Sequence, residues 1–358
     1  MPKRGVLLVN LGSPDSPSVS DVRKYLREFL MDGRGVNVLY PIRLAIVDGA
    51  VLPFRAPTSA KAYSKIWTAE GSPLVALSAR LQRELRKRLQ IPVELGMRYQ
   101  NPTIESALKS LVDSAVEEAL VVPLFPYSPM SSFESAVAKV KQVAAKTAPE
   151  LQLSILPSYY YRREYFGALA EAAAPYLDRG FDHLLFSFLG MQERHLVRSN
   201  PGCSECLNRR DFCVRPEAAD RQCYRRHCIE MMNRFAAIRC IPAGKFNFAF
   251  QSKIGMGTWL KPATHEEVTR LAKSGVRRLM VICPAFTVDC VETIEEIGMR
   301  AKEAFLSGGG SEFTLIPCLN DHPAWVNGLA RMVEVATIAA TLLGSRFRNH
   351  KPDPRGFS

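Results

Sequence analysis

Short, nearly continuous apolar runs recur along this chain, each followed by residues at helical spacing. Four fall early, at Val6–Asn10, Val93–Arg98, Ala119–Leu124 and Leu151–Leu156. Four more follow, at Leu184–Leu189, Phe246–Gln251, Leu279–Cys283 and Phe313–Pro317. A strand covered on both faces reads as an unbroken apolar run, so this alternation predicts parallel sheets between helical layers. The expected fold class is α/β, as two doubly wound halves with four-stranded parallel sheets. The break falls near Leu177-Asp178-Arg179-Gly180, giving halves 1–177 and 178–345 and a tail 346–358 that reads as disordered from His350. Helix starts are visible too: Ser18 or Ser20 caps Asp21–Leu30, and Thr264-His265-Glu266-Glu267 has the form of a capping box. Pro323–Leu343 reads as a long amphipathic closing helix.

Doubly wound sheets bind ligands beyond the carboxyl ends of their strands. The segments at those ends carry polar and aromatic groups: Asn10-Leu11-Gly12-Ser13, Arg98-Tyr99-Gln100, Pro126-Tyr127-Ser128-Pro129, Ser252-Lys253 and Asn320-Asp321-His322. No GxGxxG or GxxxxGKS/T opens a helix, which disfavours a dinucleotide or P-loop enzyme.

The segment after the seventh apolar run is the most informative. Past Pro284, Asp289, Glu292 and Glu296 recur at helical spacing, so their carboxylates are expected on one helix face. One or two acids at a helix start need no function, because they offset the helix dipole. Four acids within eight residues, Glu295 included, point to a site that handles cations or protons.

Composition narrows the partners. The 358 residues, 47% hydrophobic and 23% charged, suit a globular chain with ample core. A formal charge of +12 favours anionic partners, but the basic residues are dispersed and no nucleic-acid motif appears. No apolar run approaches the roughly 20 residues that cross a bilayer. The patch Val36–Phe54, interrupted by Arg43 and Asp48, fits a buried segment or a greasy lip resting on a membrane. Met1-Pro2-Lys3-Arg4 leads straight into Val6-Leu7-Leu8-Val9, too short for a secretory signal, so the cytoplasm is the expected compartment. Nine cysteines then imply thiols or metal ligation, not disulfides. Five of them, Cys203, Cys206, Cys213, Cys223 and Cys228, crowd an insert (200–230) with little apolar periodicity. Such spacing suits thiolate ligation of zinc or of an iron–sulfur cluster. Cys240, Cys283, Cys290 and Cys318 read as buried or strand-end thiols.

Taken together, Val9-Asn10-Leu11-Gly12-Ser13-Pro14, Tyr25-Leu26-Arg27-Glu28-Phe29-Leu30, Glu70-Gly71-Ser72-Pro73-Leu74, Met97-Arg98-Tyr99, Gln251-Ser252-Lys253-Ile254-Gly255, Trp259-Leu260, the acid block and Asn320-Asp321-His322-Pro323 resemble the ferrochelatase family over nearly the whole chain. The resemblance implies two Rossmann-like, chelatase-type halves around a porphyrin cleft, where ferrous iron enters protoporphyrin IX or coproporphyrin III to make haem. It implies Glu292 as the active-site carboxylate, with Asp289, Glu295 and Glu296 as an acidic path for metal or protons. Arg98 and Tyr99 match a pair on the metal side of the cleft, and Asn10, Met130, Ser131 and Ser132 match porphyrin-contacting loops. Arg34 matches a propionate partner. Some bacterial members carry a 2Fe–2S cluster in a similar insert, which implies Cys203, Cys206, Cys213 and either Cys223 or Cys228 as ligands, with structural zinc as the alternative. Peripheral membrane contact and a homodimer are left open. One position departs from the family: Phe186-Ser187-Phe188-Leu189-Gly190-Met191-Gln192 has Leu189 where the pattern has histidine. His195, six residues on, is expected to lie too far along to replace it, and the loop at Pro126–Pro129 is too atypical to promise ring contacts. Three readings follow: a working chelatase, a non-catalytic porphyrin- or haem-binding paralogue, and a chelatase for another metal.

Overall fold

The computed structural model describes residues 2–33, 39–199, 207, 223–252 and 257–343, the side chains of 130, 131, 199 and 339–343 excepted. The described residues hold eight strands: β1 (Arg4–Gly12), β2 (Val93–Tyr99), β3 (Glu118–Pro123), β4 (Gln152–Ile155), β5 (His183–Leu189), β6 (Phe246–Gln251), β7 (Arg278–Ile282) and β8 (Glu312–Leu315). They form two parallel four-stranded sheets, in the orders β2-β1-β3-β4 and β6-β5-β7-β8. The second sheet therefore repeats the winding of the first, as the apolar runs predict.

Side-chain alternation along each central strand sorts residues between two layers. In β1, Leu7 and Val9 pack under the helices Ile104–Asp113 and Ser135–Thr147, whereas Val6 and Leu8 join a core shared by both sheets. In β5, Leu185 faces the outer layer, and Leu184, Phe186 and Phe188 enter that same shared core. The closing helix Pro323–Leu343 seals it from the side. Its Trp325 is fully buried against Tyr159 and Tyr165 of the first half, at ring-centroid distances of 5.7 and 5.6 Å. Burying a side chain of this size contributes roughly 1.5–3 kcal/mol. Two hydrogen bonds tie the halves beside it: Thr287 donates to the Leu124 carbonyl (2.8 Å) and Tyr165 to the Pro284 carbonyl (2.6 Å).

Two local details depart from expectation. Ser18 does cap the first helix, accepting from the Asp21 N–H at 3.2 Å. The helix Thr264–Lys273 has no capping box: its cap is Ala263, and the Thr264 hydroxyl pairs instead with buried Ser187 at 2.8 Å. A tertiary partner has displaced the local one. β1 also runs past Asn10, because Gly12 (φ +104°) pairs with Tyr99 at the end of β2. A Cβ at Gly12 would lie 2.0 Å from the Tyr99 carbonyl oxygen, so only glycine lets the two strand ends close.

In each sheet the chain reverses its direction of winding between two central strands, β1 and β3 in one, β5 and β7 in the other. The carboxyl ends of these four strands face one another across the gap between the halves.

Candidate active site

A cavity of about 480 Å³ occupies that gap, within the usual range for a small-molecule site. Its walls come from the four switch-point strand ends and from the helices Val19–Leu30 and Leu52–Ile66. Aromatic and aliphatic side chains dominate, among them Tyr25, Tyr63, Tyr127, Leu189, Phe286 and Trp259. Few charged groups reach it: Glu292 on one side, with Arg55, Arg194 and His195 on the others.

Glu292 opens a helix wound with the wide π spacing over Glu292–Ala301. That winding leaves backbone carbonyls without the usual partners, and the Gln251 side chain donates to the Glu292 carbonyl at 2.9 Å. Burial pushes the Glu292 carboxyl up from its ordinary pKa, and nearby Glu296 adds to the shift. The Cys290 thiol, the Glu292 backbone N–H and the Arg55 guanidinium oppose it. The Tyr25 and Tyr63 rings pack edge to face, centroids 6.2 Å apart, and burial raises both phenols well above the ordinary range, so both stay neutral.

Asp289 does not share a helix face with Glu292 and Glu296, which corrects the helical reading. Asp289 precedes the helix and turns away: it accepts from Asn320 (2.7 Å), Thr293 (2.8 Å) and the Cys318 N–H (3.2 Å). It thereby fixes the loop that aims Glu292. Glu295 is buried against Arg300 (2.8 Å) and Lys65 (3.4 Å) of the first half. Glu296 accepts from the Ser252 N–H (2.8 Å) and hydroxyl (2.6 Å), and Ser252 in turn lines the cavity. Of the four, only Glu292 lies on the wall.

The other expected site residues divide. Asn10 lies on the wall, held by donation to Ser78 at 3.1 Å and by the Leu11 N–H at 2.8 Å. Leu189 also lies there, its carbonyl accepting from Tyr224 at 2.9 Å. Arg98 and Tyr99 do not: both donate to Asp32, at 2.8 and 3.0 Å, Ser135 donates to the same carboxylate, and the buried Tyr99 ring packs behind the wall against Tyr25 and Phe29. Met130 and Ser131 belong to the turn Met130–Glu134, whose Ser132 lines the cavity; their own side chains lie outside the described ones. Arg34, Cys203, Cys206 and Cys213 lie outside the described residues. Cys223 and Cys228 are buried at and just inside the start of the helix Tyr224–Ile238. Cys240 is exposed, unlike Cys283, Cys290 and Cys318.

Three wall elements contradict or escape the sequence reading. His195 does reach the cavity, because β5 turns at Gly190 directly into the helix Glu193–Ser199. Tyr127 and Pro129 line it despite their atypical loop. Arg55 and Tyr63 were hidden in an amphipathic helix whose inner face looked like ordinary core; an isolated arginine after the apolar run ending at Phe54 was the available signal. Positions 36–38 of the Val36–Phe54 patch lie outside the described residues; the rest is neither wholly buried nor wholly exposed. Val47 and Leu52 pack inward, Ile46 and Val51 line the cavity mouth, and Leu39, Tyr40, Ile42 and Phe54 project outward.

The family model described as Ferrochelatase matches residues 3–337. The chain belongs to the ferrochelatase family. Among the relatives of that family, ferrochelatase from Azotobacter vinelandii is 44% identical over 334 residues, 93% of this chain and 98% of that one. Ferrochelatase from Pseudomonas putida is 45% identical over 338 residues, 94% and 100% of the two chains. The fold is also that of SirB from Bacillus subtilis, solved with Fe3+, at a TM-score of 0.51 and 14% identity, covering 96% of this chain and 98% of that one.

Proposed function

We propose that this chain inserts ferrous iron into a porphyrin, protoporphyrin IX or coproporphyrin III, in haem synthesis. The observation that carries this reading is the Glu292 carboxyl, enclosed in an apolar cavity between two chelatase-type sheets. Family membership and relatives named ferrochelatase along their full length support it. Metal insertion requires a flat apolar ring to be gripped and two pyrrole protons to be removed. Aromatic walls supply the grip, and a carboxylate whose proton affinity is raised is a suitable base. Glu292 takes a pyrrole proton, and Glu296, behind it on Ser252, is the next acceptor outward. Asp289 acts by holding the loop. Arg55 and Arg194 are the wall cations available to the ring's carboxylates, with Arg34 a further candidate by resemblance.

The cysteine insert carries a 2Fe–2S cluster or zinc in this reading. Cys223 fits as a ligand, since a helix N-terminus favours a thiolate. Cys228 lies inside the same helix, fully buried beside Tyr224, and is the alternative fourth ligand. The ligands would be Cys203, Cys206, Cys213 and Cys223, and the bound group would crosslink a segment without an apolar core.

One observation favours a second reading. Leu189 can neither accept a proton nor ligate metal, as a porphyrin carrier that has lost chelation would allow. A single experiment separates the two. Protein purified anaerobically is expected to show visible sulfur-to-iron absorption, lost in Cys223→Ser but kept in Cys228→Ser, and then to convert protoporphyrin and ferrous iron to haem. Binding of porphyrin without conversion would favour the carrier.

The outward residues Leu39, Tyr40, Ile42 and Phe54 form an apolar lip at the cavity mouth, the face through which a hydrophobic ring would pass. With a net charge of +12, an anionic bilayer is the partner this lip fits. No helix among the described residues is long and apolar enough to cross a membrane. Co-sedimentation with phosphatidylglycerol vesicles is expected, and Phe54→Asp should weaken it about tenfold. Self-association through the lip, without vesicle binding, would instead indicate a homodimer.

A further inference from the structure

A carboxyl that removes a ring proton must keep its aim, and the helix that carries Glu292 begins at Glu292 itself. We infer that Gln251 is a positioning residue of the reaction, its carboxamide locking the first residue of that helix so that Glu292 stays directed into the cavity. This rests on the functional reading above, in which Glu292 takes a pyrrole proton.

Gln251 ends β6 and is 1% exposed. Its Nε2 donates to the Glu292 carbonyl at 2.9 Å. Its Oε1 accepts from the Ser187 hydroxyl of β5 at 2.6 Å and from the Cys283 thiol, just past β7, at 3.5 Å. A carbonyl can only accept, so the end of the amide on Glu292 must be the nitrogen, and the amide has one orientation. The chain continues behind it. Ser187 gives its proton to Gln251, so Thr264, 2.8 Å from the same hydroxyl, donates to Ser187. Ser187, Thr264 and Cys283 are buried as well, and a buried network with its partners satisfied holds a single arrangement.

The backbone of Gln251 is held too. Leu189 pairs with it across the sheet, and its carbonyl accepts from the Gly190 N–H at 2.8 Å. A Cβ at Gly190 would lie 2.4 Å from that oxygen, so the close approach needs glycine. The next residue grips the same helix four positions on. Ser252 has φ +65°, a conformation that residues with a Cβ seldom adopt, and its N–H and hydroxyl meet the Glu296 carboxylate at 2.8 and 2.6 Å. Adjacent residues at the end of β6 therefore hold Glu292 by its backbone and Glu296 by its side chain. Two such grips fix the rotation of the helix as well as its place. Glu296 is engaged by Ser252, whereas Glu292 keeps its carboxyl for the cavity. Gln251 does not itself line the cavity, so its route to the ring runs through Glu292.

The test uses the full chain and reads kcat for iron insertion beside porphyrin affinity, measured by fluorescence quenching at a temperature where circular dichroism shows each variant folded. Gln251→Met keeps the length of the side chain and removes the amide. It is expected to lower kcat roughly 10- to 100-fold, the scale of a misplacement of up to about 1 Å, with porphyrin affinity unchanged. Ser187→Ala, which removes one support of the amide and leaves its contact with the helix, should cost less. Both losses should disappear in a Glu292→Gln background, because residues that act through one group are not additive. A residue that merely stabilised the core would lower kcat by the same factor in either background. Three results would overturn the assignment: unchanged kcat in Gln251→Met, a loss of affinity matching the loss of kcat, or the same loss in both backgrounds. Should Gln251→Met not fold, Ser187→Ala decides by the same three readings. An unsubstituted protein that inserts no iron sinks the functional reading and this assignment together. An active protein whose loss persists without the Glu292 carboxyl sinks this assignment alone.

Discussion

Glu292→Gln is expected to lower kcat for iron insertion roughly 10²–10⁴-fold and, at neutral pH, to raise thermal stability. Both effects have one cause. The carboxyl is enclosed by apolar walls, which raises its pKa above the ordinary value. An acid with a raised folded-state pKa favours folding while protonated, below its ordinary pKa, and that contribution is lost as pH rises through the folded value. At pH 7 the native protein therefore bears the cost of an enclosed charge, which glutamine removes while keeping the shape. The stability gain should grow as pH rises past the ordinary carboxylate range and vanish in acid. The same shift places the acid limb of the activity profile above that range, because the base must be ionised to work. Matched pH series of kcat and of melting temperature, for both proteins, test this. A variant that keeps full kcat, or that melts lower at pH 7 than the native chain, contradicts it.

Asp32→Ala is expected to cost about 3 kcal/mol of stability and to raise the KM for porphyrin. Asp32 accepts from Arg98, Tyr99 and Ser135, and the Asp32 and Arg98 side chains are only 6% and 11% exposed. Removing the carboxylate strands a buried guanidinium, which keeps the Ser135 hydroxyl at 2.8 Å and the Tyr99 ring but has only Glu28, at 3.9 Å, as a remaining charged partner. That residual partner sets the estimate at the low end for a broken buried ion pair. The KM effect follows from connectivity: Asp32 follows the helix Val19–Leu30, Arg98 and Tyr99 end β2, and Ser135 follows the turn carrying Ser132. Helix and turn both supply cavity wall. Urea unfolding and steady-state kinetics read the two effects, and Asp32→Asn, which keeps an acceptor, should lose less of each. A change below 1 kcal/mol would mean that desolvation of the pair cancels its attraction.

Arg98 and Tyr99 show how far the sequence could be read. Their place at a strand end was legible, and so was their polar character beside the cleft. Their direction was not: Asp32, distant in sequence, takes both side chains, and neither lies on the wall. The acid block behaves in the same way. Four carboxylates after β7 signalled a site, but their partners Asn320, Lys65 and Ser252 come from three other segments. Those partners left Glu292 for the cavity.

The two parallel sheets, the strands that build them and the ferrochelatase family are all present in local pattern. Apolar runs bury on both faces wherever they occur, and motifs survive as contiguous residues. Local pattern also located the strand ends where a ligand would sit. The wall itself depended on the packed halves. Arg55 and Tyr63 reach it from a helix that looks like ordinary core, and His195 reaches it through a turn that only Gly190 allows. Such placements depend on contacts between segments far apart in the chain, and no periodicity within one segment encodes them.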